Sequence, residues 1–393
     1  MEHNPSQLVS KPFIGNLYGN INRVYHLIFF IIGISLGIVA TLCYNSLSLN
    51  LQAFLYPVMT PLTTLLPPPP PLTFSSSSLI TKSNSNSTEL RTSLMHNMTD
   101  QELFLKASME SGIQDFPNKA IPKVAFMFLA KGALPLAPLW ENFFKGHEGF
   151  YSIYLHQHPS FNETLPKDSV FYGRKVPSQP VFWGTSSMID AEKRLLSNAL
   201  MDLSNQRFVL LSEACIPLFG FKTIYGYIMN SSLSFLGSFD DPTKAGRGRY
   251  NPKMRPVINI TDWRKGSQWF EVDRELAIHI VSDTKYYSIF RHYCLPPCYG
   301  DEHYFATFVH MMYPELNSNR SLTWVDWSRG GPHPRRYGRG DITYEFLNQI
   351  RNGSTCVYNG NTTNICFLFA RKFHPSTLKP LLRVSPLLHG IGP

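Results

Sequence analysis

From about residue 119 onward, short apolar runs alternate with longer segments whose apolar residues recur at helical spacing. The runs 124–130 and 207–211 are short and almost continuously apolar, which is typical of strands buried on both faces of a parallel sheet. Segment 186–203 shows the clearest helical period. The other predicted elements are strands at 151–155, 170–172 and 323–327, a further apolar segment at 234–239, and helices at 135–145, 273–282, 301–312 and 342–350.

Strand and helix alternate three times in the first part of this region. That order predicts an α/β layer fold with a mostly parallel central sheet flanked by helices. No internal repeat is visible, so we predict a single domain at 119–393.

The N-terminal region has a different pattern. Residues 27–44 form an 18-residue run without charge, the length at which a transmembrane helix is expected. Lys11 and Arg23 precede this run, which predicts a cytosolic tail at 1–26 and a single-pass signal anchor with the rest of the chain in the secretory lumen. A cleaved signal peptide is the alternative, although the run begins late for one.

Residues 45–118 are predicted to form an extended luminal stem, because five consecutive prolines at 67–71 and four serines at 75–78 cannot bury a core. A proline-rich recognition motif is the alternative. Glycosylation acceptor motifs all lie on the predicted luminal side, at Asn86, Asn97, Asn162, Asn230, Asn259, Asn319, Asn352 and Asn361.

Five cysteines lie outside the predicted anchor. The short loops Cys294–Cys298 and Cys356–Cys366 could each close as a disulfide in an oxidising compartment, which leaves Cys215 as a buried thiol. A zinc site at the first pair is the alternative, but no second ligand pair follows at metal spacing.

Composition, charge and missing motifs exclude several classes of function. A hydrophobic content of 43% excludes wholesale disorder, and a net charge of +9 predicts an anionic partner. Nucleic acid would be one such partner, but the predicted luminal topology argues against it. The chain lacks the glycine patterns of phosphate-binding, dinucleotide-binding and hydrolase loops, and it lacks an Asp-x-Asp pair for a divalent metal.

Basic residues cluster late in the chain instead, at Arg335, Arg336, Arg339, Arg351, Arg371 and Lys372. Such side chains can stabilise a leaving diphosphate in place of a metal, or they can form a solvated basic surface.

Glu302 is the acid best placed for chemistry, because it starts a predicted helix where it could accept a proton from a hydroxyl. An ordinary first-turn acid is the alternative, and Asp301 beside it is expected to cap the helix. Trp327, before a polar loop, is a candidate sugar platform or a simple rim residue.

Five ordered motifs resemble one family. They are Trp183-Gly-Thr-Ser-Ser-Met-Ile-Asp-Ala-Glu192, Phe208-Val-Leu-Leu-Ser-Glu213, Lys265-Gly-Ser-Gln-Trp269, Gly300-Asp-Glu-His-Tyr304 and Phe369-Ala-Arg-Lys-Phe373. Over about 120–385 the chain resembles the plant branch of the core-2/I-branching β-1,6-N-acetylglucosaminyltransferase-like proteins, glycosyltransferase family 14. The resemblance implies a type II Golgi membrane protein with a metal-independent variant of the GT-A fold. It also implies inverting transfer from a UDP-sugar to a hydroxyl of a glycan or glycoprotein, with no metal cofactor.

The resemblance also implies roles for particular residues. Glu302 matches the catalytic base, Lys372 matches a lysine on the diphosphate, and Arg351 is a looser match to a second basic residue. The other donor-site residues are Leu129, Ala130, Lys131, His156, Gln157, His158 and Trp183. The acceptor-side residues are Asp240, Arg247, Arg249 and Trp327. The chain departs from the animal enzymes at 156–158, where they carry a nucleotide-contacting aspartate.

The transferred sugar stays open between N-acetylglucosamine and a related sugar such as glucuronic acid. A membrane-anchored protein that binds glycan or assists other enzymes without turnover is the alternative function.

Overall fold

The computed structural model describes residues 94–113, 120–163 and 165–389. The strands are β1 (Lys123–Leu129), β2 (Tyr151–His156), β3 (Asn205–Ser212), β4 (Ile216–Pro217), β5 (Glu271–Asp273), β6 (Thr323–Val325), β7 (Cys356–Tyr358), β8 (Asn361–Thr363) and β9 (Phe369–Arg371). The helices are α1 (Asp100–Ile113), α2 (Ala137–Phe144), α3 (Ser187–Leu200), α4 (Phe221–Met229), α5 (Arg274–Ser282), α6 (Lys285–Tyr293), α7 (Tyr304–Met312), α8 (Tyr344–Asn352) and α9 (Leu378–His389).

The central sheet has the strand order β2-β1-β3-β5. Strands β2 and β3 both run parallel to β1, whereas β5 is antiparallel to β3. In this register Leu129 lies opposite His156 on one side and Ser212 on the other, so three carboxyl ends meet at one edge. The mixed α/β fold with a parallel-containing sheet therefore agrees with the sequence prediction.

Both faces of β1 are buried, which explains its continuous apolar run. Val124, Phe126 and Phe128 pack on one face in a core shared with α2, α4 and α9, where aromatic rings meet edge to face. Ala125 and Met127 face a second core shared with α3, α5, α6 and α7. Because side chains alternate along a strand, burial on both faces requires apolar residues at every position.

Two smaller sheets complete the strand pairing in the described residues. One has the order β4-β9-β6, with β9 parallel to β6 and antiparallel to β4. The other is the hairpin β7-β8, and the Cys356–Cys366 disulfide closes its base. Cys294 is bonded to Cys298 and Cys215 is a buried free thiol, so the pairing follows the short loops of the sequence.

The folded unit extends into the segment predicted to be stem. Helix α1 begins at a capping box, in which the Thr99 hydroxyl accepts from the Glu102 amide and the Glu102 carboxylate accepts from the Thr99 amide. The helix packs on α3 and α5, and it buries Leu103 and Ala107. Part of the predicted stem therefore packs against the domain that was predicted to begin at 119. The predicted anchor at 27–44 falls outside the described residues, and no helix within the described ranges is long and apolar enough to cross a bilayer.

Other differences concern short elements. Segment 170–172 is a turn and not a strand. On that side β2 makes only one isolated bridge, between Leu155 and Lys175. Segment 234–239 forms only isolated bridges. The helix expected at 301–312 begins at Tyr304, after a short 3-10 turn at Gly300–Glu302. Helices α4, α6 and α9 were not predicted.

The seven acceptor asparagines within the described residues are all exposed; Asn86 lies outside them.

Replacing Leu103 by Ala tests whether α1 belongs to the domain. Leu103 is 1% exposed, so Leu103→Ala should lower the free energy of unfolding by about 2–4 kcal/mol in urea titrations. Leu105, two residues along the same helix, is 59% exposed, and Leu105→Ala is the matched control with an expected change below about 0.5 kcal/mol. Equal effects of the two substitutions would contradict the packing of α1.

Candidate active site

A cleft of about 1090 Å³ opens at the edge where β1, β2 and β3 end. Open α/β sheets bind ligands at the carboxyl ends of their parallel strands. The residues that end or directly follow these strands line the cleft: Leu129, Ala130, Lys131, His156, His158, Ser212 and Glu213. Arg371 and Lys372, at the end of β9, line it as well.

Glu302 lies in this cleft, on the turn before α7, and two cations hold its carboxylate. The Lys265 ammonium donates to Oε2 over 2.6 Å, and Arg249 Nη1 donates to the same oxygen over 2.7 Å. In the part of the chain that the structure describes, Oε1 has no protein partner. The carboxylate is therefore fixed through one oxygen and offers the other to a ligand.

The pKa of Glu302 reflects two opposing effects. Burial alone raises the pKa, but the charges and hydrogen bonds of Lys265 and Arg249 outweigh burial and hold it below the usual value. Glu302 is consequently ionised at neutral and mildly acidic pH.

Four local features place Glu302 beside Lys265. The Cys294–Cys298 disulfide closes the loop just before the turn, and Tyr299 then adopts a left-handed backbone with φ of 55°. The amide of Gly266 donates to the Glu302 carbonyl over 2.7 Å. Gly266 also passes so close to Gly237 that a Cβ on it would lie 2.0 Å from the Gly237 carbonyl oxygen. Glycine is therefore needed at 266, where the segment bearing Lys265 approaches Gly237.

Asp301 is a site residue that the sequence reading assigned differently. The structure buries its carboxyl in the cleft wall, with Oδ1 unpartnered, and the side chain caps no helix. Burial, with a smaller effect from Glu302, raises the pKa of Asp301 to about 6. Asp301, a carboxyl group that titrates close to neutral pH, therefore lies next to the ionised Glu302.

Arg371 and Lys372 supply positive charge to the cleft. The Arg371 guanidinium stacks over the Trp269 ring, with 4.1 Å between Cζ and the ring centroid. Burial, followed by the charges of Arg371 and Arg336, lowers the pKa of Lys372. Arg351 does not line the cleft; its guanidinium lies over the Phe219 ring. The second cation beside Lys372 is thus Arg371 and not Arg351.

Aromatic side chains form part of the cleft lining. Trp183 is 53% exposed and packs on Tyr299 and His333, with ring centroids 4.7 and 5.1 Å apart. Tyr299 in turn carries the Arg249 guanidinium on its ring face. Trp327 is 49% exposed and lines the cleft separately. Exposed indole faces of this kind can stack on sugar rings.

Two predicted acceptor residues lie elsewhere. Asp240 and Arg247 form an exposed ion pair with each other, with bonds of 2.5 and 2.7 Å, and neither lines the cleft, whereas Asp241 does. Gln157 does not line the cleft either; its side-chain amide donates to the Gly132 carbonyl and holds the loop after β1.

The cleft thus contains ten of the predicted site residues: Leu129, Ala130, Lys131, His156, His158, Trp183, Arg249, Glu302, Trp327 and Lys372. Lys265 and Asp301 were not predicted as site residues, and Arg371 was named in the basic cluster but not assigned to the donor site. Each is part of one of the five motifs or adjoins a residue that was chosen, and this adjacency is the signal that could have found them.

Comparison with known proteins identifies a matching family and a related protein. The model of the family described as Core-2/I-Branching enzyme matches residues 124–351. A protein of Oryza sativa subsp. japonica named glycosyltransferase BC10 is 38% identical over 310 residues, which cover 67% of this chain and 76% of that protein.

The chain belongs to the core-2/I-branching enzyme family. Glycosyl transfer is accordingly its class of reaction, and the parallel-containing sheet fits a GT-A-like fold. The matched range of this family member includes Glu302, Lys265 and Arg249, whereas α1, Arg371 and Lys372 lie outside it.

Gly266→Ala tests the close approach that positions Lys265. The added Cβ meets backbone, so the substitution should destabilise the protein by about 2–3 kcal/mol in thermal or urea unfolding. Gly226, in the interior of α4, has open space where a Cβ would lie, and Gly226→Ala should stabilise by about 0.5–1 kcal/mol. A neutral Gly266→Ala would show that the approach is looser than the structure has it.

Proposed function

We propose that the chain is an inverting glycosyltransferase that moves a sugar from a UDP-sugar to a hydroxyl of a glycan or glycoprotein, without a divalent metal. One observation carries the proposal. Glu302, ionised and with Oε1 available, shares a single cleft with the cationic pair Arg371 and Lys372. A single displacement at an anomeric carbon requires a base for the acceptor hydroxyl and positive charge that stabilises the leaving diphosphate.

In this mechanism Glu302 accepts the proton of the acceptor hydroxyl as that oxygen bonds to the anomeric carbon. The bond between the anomeric carbon and the diphosphate oxygen breaks, and its electron pair stays on the leaving diphosphate. Attack from the opposite face inverts the anomeric centre. Lys265 and Arg249 keep Oε2 in place, so that Oε1 meets the hydroxyl in a fixed direction.

The leaving diphosphate gains negative charge in the transition state. Arg371 and Lys372 lie in the cleft wall, and Arg336 lies close enough to lower the pKa of Lys372 further. These three cations offer the electrostatic stabilisation that a bound divalent ion would otherwise give.

Donor and acceptor are proposed only as classes. The sugar is N-acetylglucosamine or a related sugar, glucuronic acid among them, and Trp183 and Trp327 offer faces on which sugar rings can stack. We further propose a Golgi protein of type II topology, anchored by residues 27–44. Two disulfides and seven exposed acceptor asparagines suit an oxidising, glycosylating lumen.

A second candidate function is glycan binding without turnover. The ion pairs that keep Glu302 ionised also lower its proton affinity, and a weak base favours binding over catalysis. UDP release by the purified protein, measured across UDP-sugars with plant-wall glycans and with or without EDTA, separates the two functions. Acceptor-dependent, EDTA-resistant release supports the transferase; UDP binding without release from any pair supports the accessory role.

Glu302→Gln tests the base. The amide keeps the size of the side chain but cannot take a proton, so kcat should fall by roughly 10²–10⁴-fold while the Kd for UDP changes less than about twofold. Glu315→Gln removes an exposed carboxylate outside the cleft and should leave both constants unchanged. Full turnover by Glu302→Gln would overturn the assignment.

The pH dependence follows from the two shifted pKa values. Because the pKa of Glu302 is lowered, Glu302 itself should cause no decline in kcat/KM as the pH falls from 7 to about 5; a change in that range would come from Asp301, whose pKa is about 6. Because the pKa of Lys372 is lowered, its charge is lost as the pH rises through a range below that of an ordinary lysine, and kcat/KM should fall there. Lys372→Arg keeps the charge at high pH and should move this alkaline decline upward, even if its maximum rate is lower. An unchanged decline would exclude Lys372 as its source.

A further inference from the structure

Three side chains from separate elements form a hydrogen-bonded chain that ends in the cleft. Asp100, the first residue of α1, receives a two-pronged bond from Arg194 of α3, with both distances 2.6 Å. Arg194 Nη1 lies 3.1 Å from Nε2 of His156, the last residue of β2. His156 is 1% exposed and lines the cleft.

This chain determines where the proton of His156 lies. A guanidinium has only donors, so Nε2 of the imidazole must accept the bond from Arg194. In a neutral imidazole the other nitrogen then carries the hydrogen, which makes Nδ1 an N–H donor. Burial, together with the charge of Arg194, lowers the pKa of His156 to about 3, so the ring stays neutral at any working pH.

The position of His156 points to an uncharged part of the ligand. The Ala130 amide donates to the His156 carbonyl, so β1 and β2 are still joined where the cleft begins, with Leu129 and Ala130 beside the imidazole. The cations suited to a diphosphate, Arg371 and Lys372, lie instead at the end of β9. A neutral donor next to apolar side chains suits a nucleobase better than it suits a phosphate.

We propose that His156 is a specificity-determining residue whose Nδ1–H donates to a carbonyl oxygen of the donor's base, and that Asp100 and Arg194 are positioning residues that fix this tautomer. The inference rests on the proposed function, which supplies a nucleotide donor. It makes helix α1 part of the donor site, although α1 lies outside both the matched family range and the predicted domain.

Two substitutions of His156 separate the roles of its nitrogens. The amide nitrogen of Asn takes the place of Nδ1, so His156→Asn keeps a donor toward the base and loses the contact with Arg194. The amide group of Gln reaches the place of Nε2, so His156→Gln keeps the contact with Arg194 and loses the donor. Asp100→Asn removes the charge that holds Arg194 while it keeps the shape of the side chain.

Calorimetric binding to the full chain gives the first readout, with UDP, ribose 5-phosphate and inorganic pyrophosphate as probes. Loss of one buried hydrogen bond should weaken UDP binding about tenfold in His156→Gln, and by roughly three- to tenfold in Asp100→Asn. His156→Asn should stay within about threefold of the wild type. Affinities for ribose 5-phosphate and pyrophosphate should not change in any variant, because neither probe has a base.

Glu102→Gln is the matched control for Asp100→Asn. Both carboxylates lie in the first turn of α1, but Glu102 bonds only to Thr99 among the described contacts and does not touch Arg194. Glu102→Gln should therefore leave UDP affinity unchanged. An equal loss in the two variants would show that helix stability, and not the chain to His156, is responsible.

Nitrogen-15 NMR of labelled histidine gives a second readout that a purely structural role would not move. Wild-type His156 should show a single tautomer with the proton on Nδ1, and Asp100→Asn should show a mixture of tautomers. Two results would overturn this inference without touching the proposed function. One is equal UDP affinity of His156→Gln and His156→Asn, and the other is a proton on Nε2 of wild-type His156. Failure of UDP to bind the wild-type chain would instead overturn the proposed function, and the base contact with it.

Discussion

The arrangement of the site depends on one electrostatic constraint. A carboxylate with most of its surface removed from water stays charged only if cations lie against it. Glu302 receives two of them, from positions 37 and 53 residues away in the chain. The close approach of Gly266 to Gly237, the left-handed backbone at Tyr299 and the disulfide before it all bring these distant segments to one point. Precise placement of Glu302 is therefore a property of tertiary structure and not of its own helix.

The charges that line the cleft are nearly balanced and do not account for the basic excess of the chain. Lys131, Arg249, Lys265, Arg371 and Lys372 line one cleft, where Glu213, Asp241, Asp301 and Glu302 partly balance them. Because acids lie among the cations, the cleft carries positive and negative charges together and does not present a uniform positive field. Such an arrangement suits the proposed nucleotide-sugar, which carries its charge at one end and neutral groups at the other.

Sequence reading found the elements whose signal is local. The apolar run of β1 and the helical period of α3 are set by burial of their own residues, and both were predicted within a few positions. Helix α1 was missed because only Leu103 and Ala107 are deeply buried among its described side chains, too few to give a clear period. Its capping box, Thr99 to Glu102, was the available signal. The family motifs located Glu302 and Lys372, but Arg351 was preferred to Arg371 because contacts between segments distant in the chain cannot be read from spacing.

The Cys294–Cys298 bond has a consequence for how the protein acquires activity. This covalent closure directly precedes the turn that bears Glu302, so we expect oxidation of the two thiols to restrict the shapes that the turn can adopt. Placement of Glu302, the proposed base, would then depend on the redox conditions under which the chain folds. Protein produced in a reducing cytosol could then have a well-folded sheet and still lack activity. In that case the cause would be the missing disulfide and not the identity of the site residues.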